Sequence, residues 1–227
     1  MKLRISEIFA SFQGEGKRTG VPTVFVRLAG CNLDCSWCDT EYAKDPGTGY
    51  DLELSEIESR IMSFGLKAVC ITGGEPLLQE NVKHLISNLT QAGYYVDIET
   101  NGSICITSYR GMSDRMTFSL DVKLPSSGHW GSFDPRNLEN LTSEDQLKFV
   151  VYDMKDLHHA FSFMKQHEPE CDLIISPVNN EFGDKIADGL MELIRTTELG
   201  TKDHLLLRIR LMVQTHKVIW GADKKGV

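Results

Sequence analysis

The chain has little of what marks a secreted, membrane-spanning or nucleic-acid-coating protein. Six cysteines in 227 residues are too few, in too long a chain, for the disulfide frameworks that staple small secreted domains. No apolar run approaches the roughly 20 residues that cross a bilayer. The opening Met1-Lys2-Leu3-Arg4-Ile5-Ser6-Glu7 is broken by charge and lacks the apolar core of a signal peptide. Basic residues are in deficit: 24 Lys plus Arg against 32 Asp plus Glu give a net charge of −8. That balance argues against broad electrostatic binding of nucleic acid, but not against a small anionic substrate, which needs only one or two local cations. There is no internal repeat and no low-complexity tract. One domain, 1–227, with one sizeable core is expected. A reducing cytoplasmic setting fits, with no membrane and no nucleic acid as partner, and there clustered cysteines read as metal ligands.

Three of the cysteines fall within eight residues, Cys31-Asn32-Leu33-Asp34-Cys35-Ser36-Trp37-Cys38. Thiolates this close can reach one metal centre, and three is one short of the four that close a four-iron, four-sulfur cube. An iron without a protein ligand is free to bind a cofactor or substrate, as the open position of a catalytic zinc does. A structural zinc site needs a fourth Cys or His at a second recognisable spacing. Cys70, Cys105 and Cys171 are isolated, and His158-His159 lies in a helical pattern.

The rest of the chain alternates strand-like and helix-like segments. Strands are expected over 23–28, 68–72, 94–99, 116–122, 147–152, 173–175 and near 205–211. A capping box at Ser55-Glu56-Ile57-Glu58 opens a helix with Ile57, Ile61 and Met62 on one face. Further helix faces are Val82, Leu85, Ile86 and Leu89, with Gly93 at C′; Leu157, Ala160, Phe161 and Met164; and Ile186, Leu190, Leu193 and Ile194. This order predicts an α/β fold with a mostly parallel sheet. The cysteines, Thr72-Gly73-Gly74-Glu75-Pro76, Thr100-Asn101-Gly102, Lys123 and Ser176-Pro177 all follow strand C-termini, the edge where such sheets bind ligands. The polar stretch 125–140 reads as a long loop, a lid or a partner contact. The stretch 103–115 carries no such signal.

Cys31-x3-Cys35-x2-Cys38 with Trp37, followed by Gly73-Gly74-Glu75-Pro76, resembles the radical S-adenosylmethionine superfamily. That resemblance implies a partial (β/α) barrel and a 4Fe-4S cluster on Cys31, Cys35 and Cys38, whose fourth iron is chelated by S-adenosylmethionine. A narrower resemblance covers nearly the whole chain. The segments 9–16 (Phe-Ala-Ser-Phe-Gln-Gly-Glu-Gly) and 25–33, Cys38-Asp39-Thr40, Glu99-Thr100-Asn101-Gly102, Asp121-Val122-Lys123 and His216-Lys217 are similar to the 7-carboxy-7-deazaguanine synthase family. That family contracts 6-carboxy-5,6,7,8-tetrahydropterin to 7-carboxy-7-deazaguanine, losing ammonia, on the route to queuosine or archaeosine. The implied chemistry starts with a 5′-deoxyadenosyl radical that takes a hydrogen atom from C6 and later returns it.

The resemblance implies roles that chemistry makes sensible. Trp37, Cys38, Asp39, Gly74, Glu75, Asp121, Val122, Lys123, Ser176, Pro177, Val178 and Asn179 would surround S-adenosylmethionine; Gly73 and Gly74 let backbone come close, and Trp37 packs on adenine. Thr40 would ligate Mg2+, with substrate and water completing the octahedron. Phe12, Gln13, Gly14, Glu15, Thr72 and Val227 would contact the pterin, whose edge offers both donors and acceptors to an amide. Arg27 would take the substrate carboxylate bidentately. His216-Lys217 reads as structural. Flavodoxin or ferredoxin is the implied electron donor. A barrel with this few strands is incomplete, and a second copy would close it as a homodimer. Two other readings stand beside this one: an activase that installs a glycyl radical on a partner protein, and a non-enzymatic iron–sulfur or zinc module.

Overall fold

The computed structural model describes residues 1–180, 183–196, 203–221 and 224–226. Its nine strands are β1 (Lys2–Phe12), β2 (Pro22–Leu28), β3 (Tyr50–Glu53), β4 (Ala68–Gly73), β5 (Tyr95–Thr100), β6 (Met116–Asp121), β7 (Gln146–Val151), β8 (Asp172–Pro177) and β9 (Ile209–Leu211). They form one sheet in the order β3-β1-β2-β4-β5-β6-β7-β8-β9. From β2 to β9 every pairing is parallel; β1 runs antiparallel to β2 and β3. The helices are α1 (Leu54–Ser63), α2 (Val82–Gln91), α3 (Met154–His167), α4 (Gly183–Thr196), α5 (Asp203–Leu206) and α6 (Thr215–Trp220). The expected α/β class and mostly parallel sheet are met, and the sheet is open, with β3 and β9 at its edges. Among the described residues no helix is long and apolar enough to cross a membrane.

Strict alternation sorts the strand residues onto two faces. Val24, Val26 and Leu28 on β2, Val69 and Ile71, Val96 and Ile98, Phe118 and Leu120, and Leu147, Phe149 and Val151 are all fully buried. They belong to the same core as Ile57 and Ile61 of α1, Val82, Leu85, Ile86 and Leu89 of α2, Leu157 and Met164 of α3, and Ile186 of α4. The opposite face is polar. Phe25, Cys70, Asp97 and Thr117 form one row across four strands. Glu99, Ser119 and Gln146 form the next, and Asp121 pairs with Lys148.

Parts of the sequence reading move. The helix-opening capping box lies two residues earlier, with Glu53 as N-cap and Glu56 at N3, and Met62 is 67% exposed. The segment expected as one strand near 205–211 is α5 followed by the short β9. Strands β1 and β3 are additional to those expected. The 125–140 loop is largely two 3-10 turns, Pro125–Ser127 and Pro135–Asn140. Buried Asn137 accepts the Ile106 N–H and donates to the carbonyls of Gly102 and Ile104. That gives the unassigned 103–115 stretch its anchor.

After β1 the chain turns onto the polar face and crosses it. Gln13 bonds Glu99 (3.1 Å), Glu15 pairs with Lys148 (2.7 Å), and the Lys17 N–H donates to Gln146 (2.8 Å). The two glycines of Gln13-Gly14-Glu15-Gly16 have a steric reason. A Cβ on Gly14 would sit 2.1 Å from His216 Nδ1, and one on Gly16, at φ +66°, 2.0 Å from Gln146 Nε2. Gly20 has φ +87° but open space around it, so it separates the two costs. Gly20→Ala is expected to lose only the left-handed backbone penalty, about 1–2 kcal/mol. Gly16→Ala is expected to lose more, because the Gln146 amide must also leave its bonds to Ser119 and Lys17. Chemical denaturation of both variants checks the difference.

Candidate active site

The polar face and the strand C-termini enclose a basin of about 820 Å³. Cys31, Cys35 and Cys38 all line it, half-buried, with free thiols. Burial pushes the Cys31 and Cys35 thiols up from their ordinary value. Cys70, Cys105 and Cys171 lie outside the basin lining.

Neighbouring loops hold the cysteine loop. Its start is tied to the turn behind it: Gly30 N–H donates to Ala43 and Cys31 N–H to Lys44. Its tip is tied to the 3-10 turn of the 125–140 segment. Ser36 N–H donates to Ser127 (3.2 Å), Trp37 Nε1 to Ser126 Oγ (3.1 Å) and Asp34 N–H to His129 Nε2 (2.9 Å). Ser126 in turn is held by the buried Asp156 at the start of α3. Asn101 reaches Asn32 at 2.9 Å, and Asn32 bonds Ser103. The segment expected as a lid or partner contact thus serves as a brace.

The Gly73-Gly74 turn packs under the same loop. A Cβ on Gly73 would lie 2.3 Å from the Leu28 carbonyl, and one on Gly74 2.3 Å from the Gly30 carbonyl. The glycines are therefore required by chain-on-chain packing as well as by any ligand. Glu75 is fully buried and does not line the basin. Its carboxylate accepts from Thr100 Oγ1 (2.8 Å), Asn101 N (2.6 Å) and Leu77 N (3.0 Å), locking the β4 turn to the β5 turn.

Several charges inside the basin are matched by the chain itself. Lys148 bridges Glu15 (2.7 Å) and Asp121 (3.2 Å), and Asp121 also holds Lys123 (2.6 Å). Burial raises Asp121, but Lys123 and Lys148 outweigh it and keep the carboxyl below its ordinary range. Lys123 lies 5.3 Å from the Trp37 ring centroid. Asp39 pairs with Lys217 at 2.8 Å. Arg27 donates through Nε to Glu7, its cross-strand neighbour, at 2.8 Å. Its two terminal nitrogens make no hydrogen bond among the described residues. Tyr42 braces the same Glu7 oxygen. Glu99 has no ion pair among the described residues; it accepts from Gln13 and from Thr72, each at 3.1 Å.

Of the residues singled out from sequence, Phe12, Gln13, Gly14, Glu15, Arg27, Trp37, Asp39, Thr40, Thr72, Gly74, Asp121, Lys123 and Val178 line the basin. Val122, Ser176 and Pro177 do not; they are buried in the strand ends. Asn179 lies in the turn after β8, and Val227 is outside the described residues. His216 and Lys217, read as structural, line the basin, and burial lowers the His216 pKa. Glu99, Lys148, Gln214, Lys224 and Lys225 also line it without having been assigned a role. The alternation of polar residues within β5 and β7 was the available signal for Glu99 and Lys148.

The matching family model is the radical SAM superfamily, over residues 25–122. A 7-carboxy-7-deazaguanine synthase from Clostridium acetobutylicum is 36% identical, covering 100% of both chains. One from Koribacter versatilis is 38% identical over 99% of this chain and 100% of its own. The crystal structure of QueE from Escherichia coli matches with TM-score 0.72 at 22% identity, covering 94% of each chain.

Burial lifts the Glu75 carboxyl to about 7 from 4.5 despite its three donors. A carboxyl raised on folding contributes stability that is present below its unfolded value and lost as pH rises through the folded one. Glu75→Gln is expected to remove that dependence between about pH 4.5 and about 7, while turning one accepting oxygen into a donor at a cost of about 1–3 kcal/mol. Denaturation across that pH window checks both.

Proposed function

By full-length likeness the chain belongs to the 7-carboxy-7-deazaguanine synthase family of radical S-adenosylmethionine enzymes, and we propose that the basin is where it binds cofactor and pterin. The reaction is the radical-mediated contraction of 6-carboxy-5,6,7,8-tetrahydropterin to 7-carboxy-7-deazaguanine with loss of ammonia, a carbon–nitrogen lyase reaction in 7-deazapurine biosynthesis. Its cofactors are a 4Fe-4S cluster, S-adenosylmethionine and Mg2+. This likeness displaces the glycyl-radical activase and the non-enzymatic module as readings.

The donor set fits the cluster: three thiols of one short loop share the basin, and the other cysteines lie outside its lining. Cys31, Cys35 and Cys38 would hold it. Bound there with S-adenosylmethionine, the cluster would supply one-electron radical chemistry. Trp37, Cys38, Asp39, Gly74, Lys123 and Val178, which line the basin, would surround that cofactor. We assign Glu75, Val122, Ser176 and Pro177 to supporting its turns. Thr40, 3.8 Å from Cys38 Sγ through its hydroxyl, offers Mg2+ one oxygen, and the substrate carboxylate would supply more.

One observation carries the substrate assignment: Arg27 lines the basin and its two outer nitrogens make no hydrogen bond among the described residues, while Glu7, itself braced by Tyr42, holds its inner nitrogen. A fixed, unsatisfied guanidinium suits a carboxylate bound bidentately. Beside it on the same face, Thr72, its register partner on β4, and Glu99, which Gln13 and Thr72 bond, would offer acceptors and donors to the aminopyrimidine edge. Phe12, Gly14 and Glu15 would wall it, and the tail toward Val227 would approach it. His216 lines the basin beside Gly14, its pKa lowered by burial.

A cytoplasmic enzyme with flavodoxin or ferredoxin as electron donor follows from the reading. We also propose a homodimer. The edge strand β9 and its flanks expose Leu207 (81%), Val213 (46%), Val218 (67%) and Ile219 (61%), apolar surface that a second copy would cover. Sedimentation at micromolar protein is expected to show a dimer that Val218→Glu weakens; a monomer contradicts it.

The functional test is anaerobic turnover of the reconstituted protein with pterin, S-adenosylmethionine, Mg2+ and dithionite. The deazaguanine should form without stoichiometric 5′-deoxyadenosine. Arg27→Lys is expected to raise the pterin KM at least tenfold, the order of a lost bidentate pair at about 1.4 kcal/mol per decade.

A further inference from the structure

Below the basin, the polar face carries groups that this reading leaves unused. Cys70 on β4 and Asp97 on β5 are register partners, and their polar atoms lie within 4.8 Å of each other and of the Glu99 carboxylate. Glu99 belongs to the basin. Asp97, two residues earlier on the same face of β5, lines a second cavity of about 220 Å³ with Lys17, Arg18, Thr117, Glu144 and Gln146. Lys17 and Glu144 are exposed, so this cavity reaches the surface at the opposite end of the strands. Asp97 and Glu99 are thus neighbouring carboxyls, each facing a different cavity.

The proposed reaction has a proton to move. Expulsion of ammonia breaks a carbon–nitrogen bond, and the electron pair leaves with nitrogen. A proton lost from the contracting ring balances it, and no oxidant is consumed. At neutral pH ammonia is carried as ammonium, so each turnover also draws one proton from solvent. A carboxylate touching the pterin can take and return a proton only if it can be reset while the basin mouth is filled.

We infer that Asp97 is a proton-relay residue, connecting Glu99 at the basin floor to solvent through the lower cavity. This rests on the pterin reading above. Asp97 acts through Glu99 and is a positioning residue rather than one that touches substrate. It faces Glu99 from its own strand, Cys70 from β4 and the Thr117 hydroxyl of β6, which donates to Oδ1 at 2.9 Å. Arg18 and Lys17 face it from the crossing segment, and Glu144, Asp145 and Gln146 from the start of β7. Burial, reinforced by Glu99 and opposed by Arg18, brings its carboxyl up to about 6, close to the pH at which a relay must exchange.

Asp97→Asn keeps the volume and an acceptor for Thr117. The variant is expected to bind S-adenosylmethionine and pterin as wild type does, but to form product about tenfold more slowly, below the full 10²–10⁴ of a direct acid–base group. The kcat inflection near about 6 should be lost. Formate, small enough for the lower cavity, should restore rate to Asp97→Ala. On the cofactor-free protein, an infrared titration should show a carboxylic-acid C=O band near that pH, absent from Asp97→Asn. A wild-type rate and pH profile in Asp97→Asn, or a band titrating near about 6 that the substitution leaves unchanged, overturns the inference alone; the Glu75 band near about 7 is expected in both. A wild-type chain that leaves the pterin unchanged defeats the functional reading and this inference with it.

Discussion

Much of the molecule depends on one buried ammonium. Lys148 projects from β7 of the parallel part of the sheet into its polar face, where two carboxylates, Glu15 and Asp121, converge on it. The attraction lifts Lys148 well above its ordinary value against the effect of burial. Taking such charges out of water costs several kcal/mol per ion, so each is tolerable only with its partners in place. The consequence is mutual: Glu15 fixes the segment crossing the face, Asp121 fixes Lys123, and Lys123 approaches Trp37 in the cysteine loop. A single charge chain thereby links the proposed pterin wall to the proposed cofactor wall.

Around this chain the loops hold one another by backbone contact. The Gly73-Gly74 turn fits beneath Leu28–Gly30 because neither glycine has a Cβ. Glu75 then gathers three donors from its own turn and the next. The 3-10 turn at Pro125–Ser127 grips Ser36 and Trp37 from the other side. A loop held at both flanks presents its thiols with little ordering left for binding, the usual advantage of a preorganised site.

Much of this was legible in the residues. Buried strands such as β4 and the helix faces of α2 and α3 follow from apolar spacing, and the C-terminal strand edge located the basin. The cysteine spacing and the Gln-Gly-Glu-Gly segment pointed to the chemistry. The rest was hidden for physical reasons. A parallel sheet buried on both faces ordinarily reads as a continuous apolar run, but here Val96-Asp97-Ile98-Glu99 and Leu147-Lys148-Phe149 alternate because the inner face is a charged site. Many polar partners of that face are far apart in sequence, 27 residues for Thr72–Glu99 and 199 for Glu15–Gln214, so no local pattern encodes them. Strand β1 escaped because a bulge between Ile5 and Glu7 breaks its register. His216 looked structural because only the tertiary fold brings the terminal segment back against Gly14.

The most direct measurement is a double-mutant cycle on Glu15→Gln and Lys148→Met, read as unfolding free energy and as pterin affinity. If the shared ammonium organises the basin, the two changes couple by about 1–3 kcal/mol in stability, and either one alone weakens pterin binding about as much as both together. Additivity within about 0.5 kcal/mol, with pterin affinity unaffected by either change, would mean that the charge chain is incidental to the site.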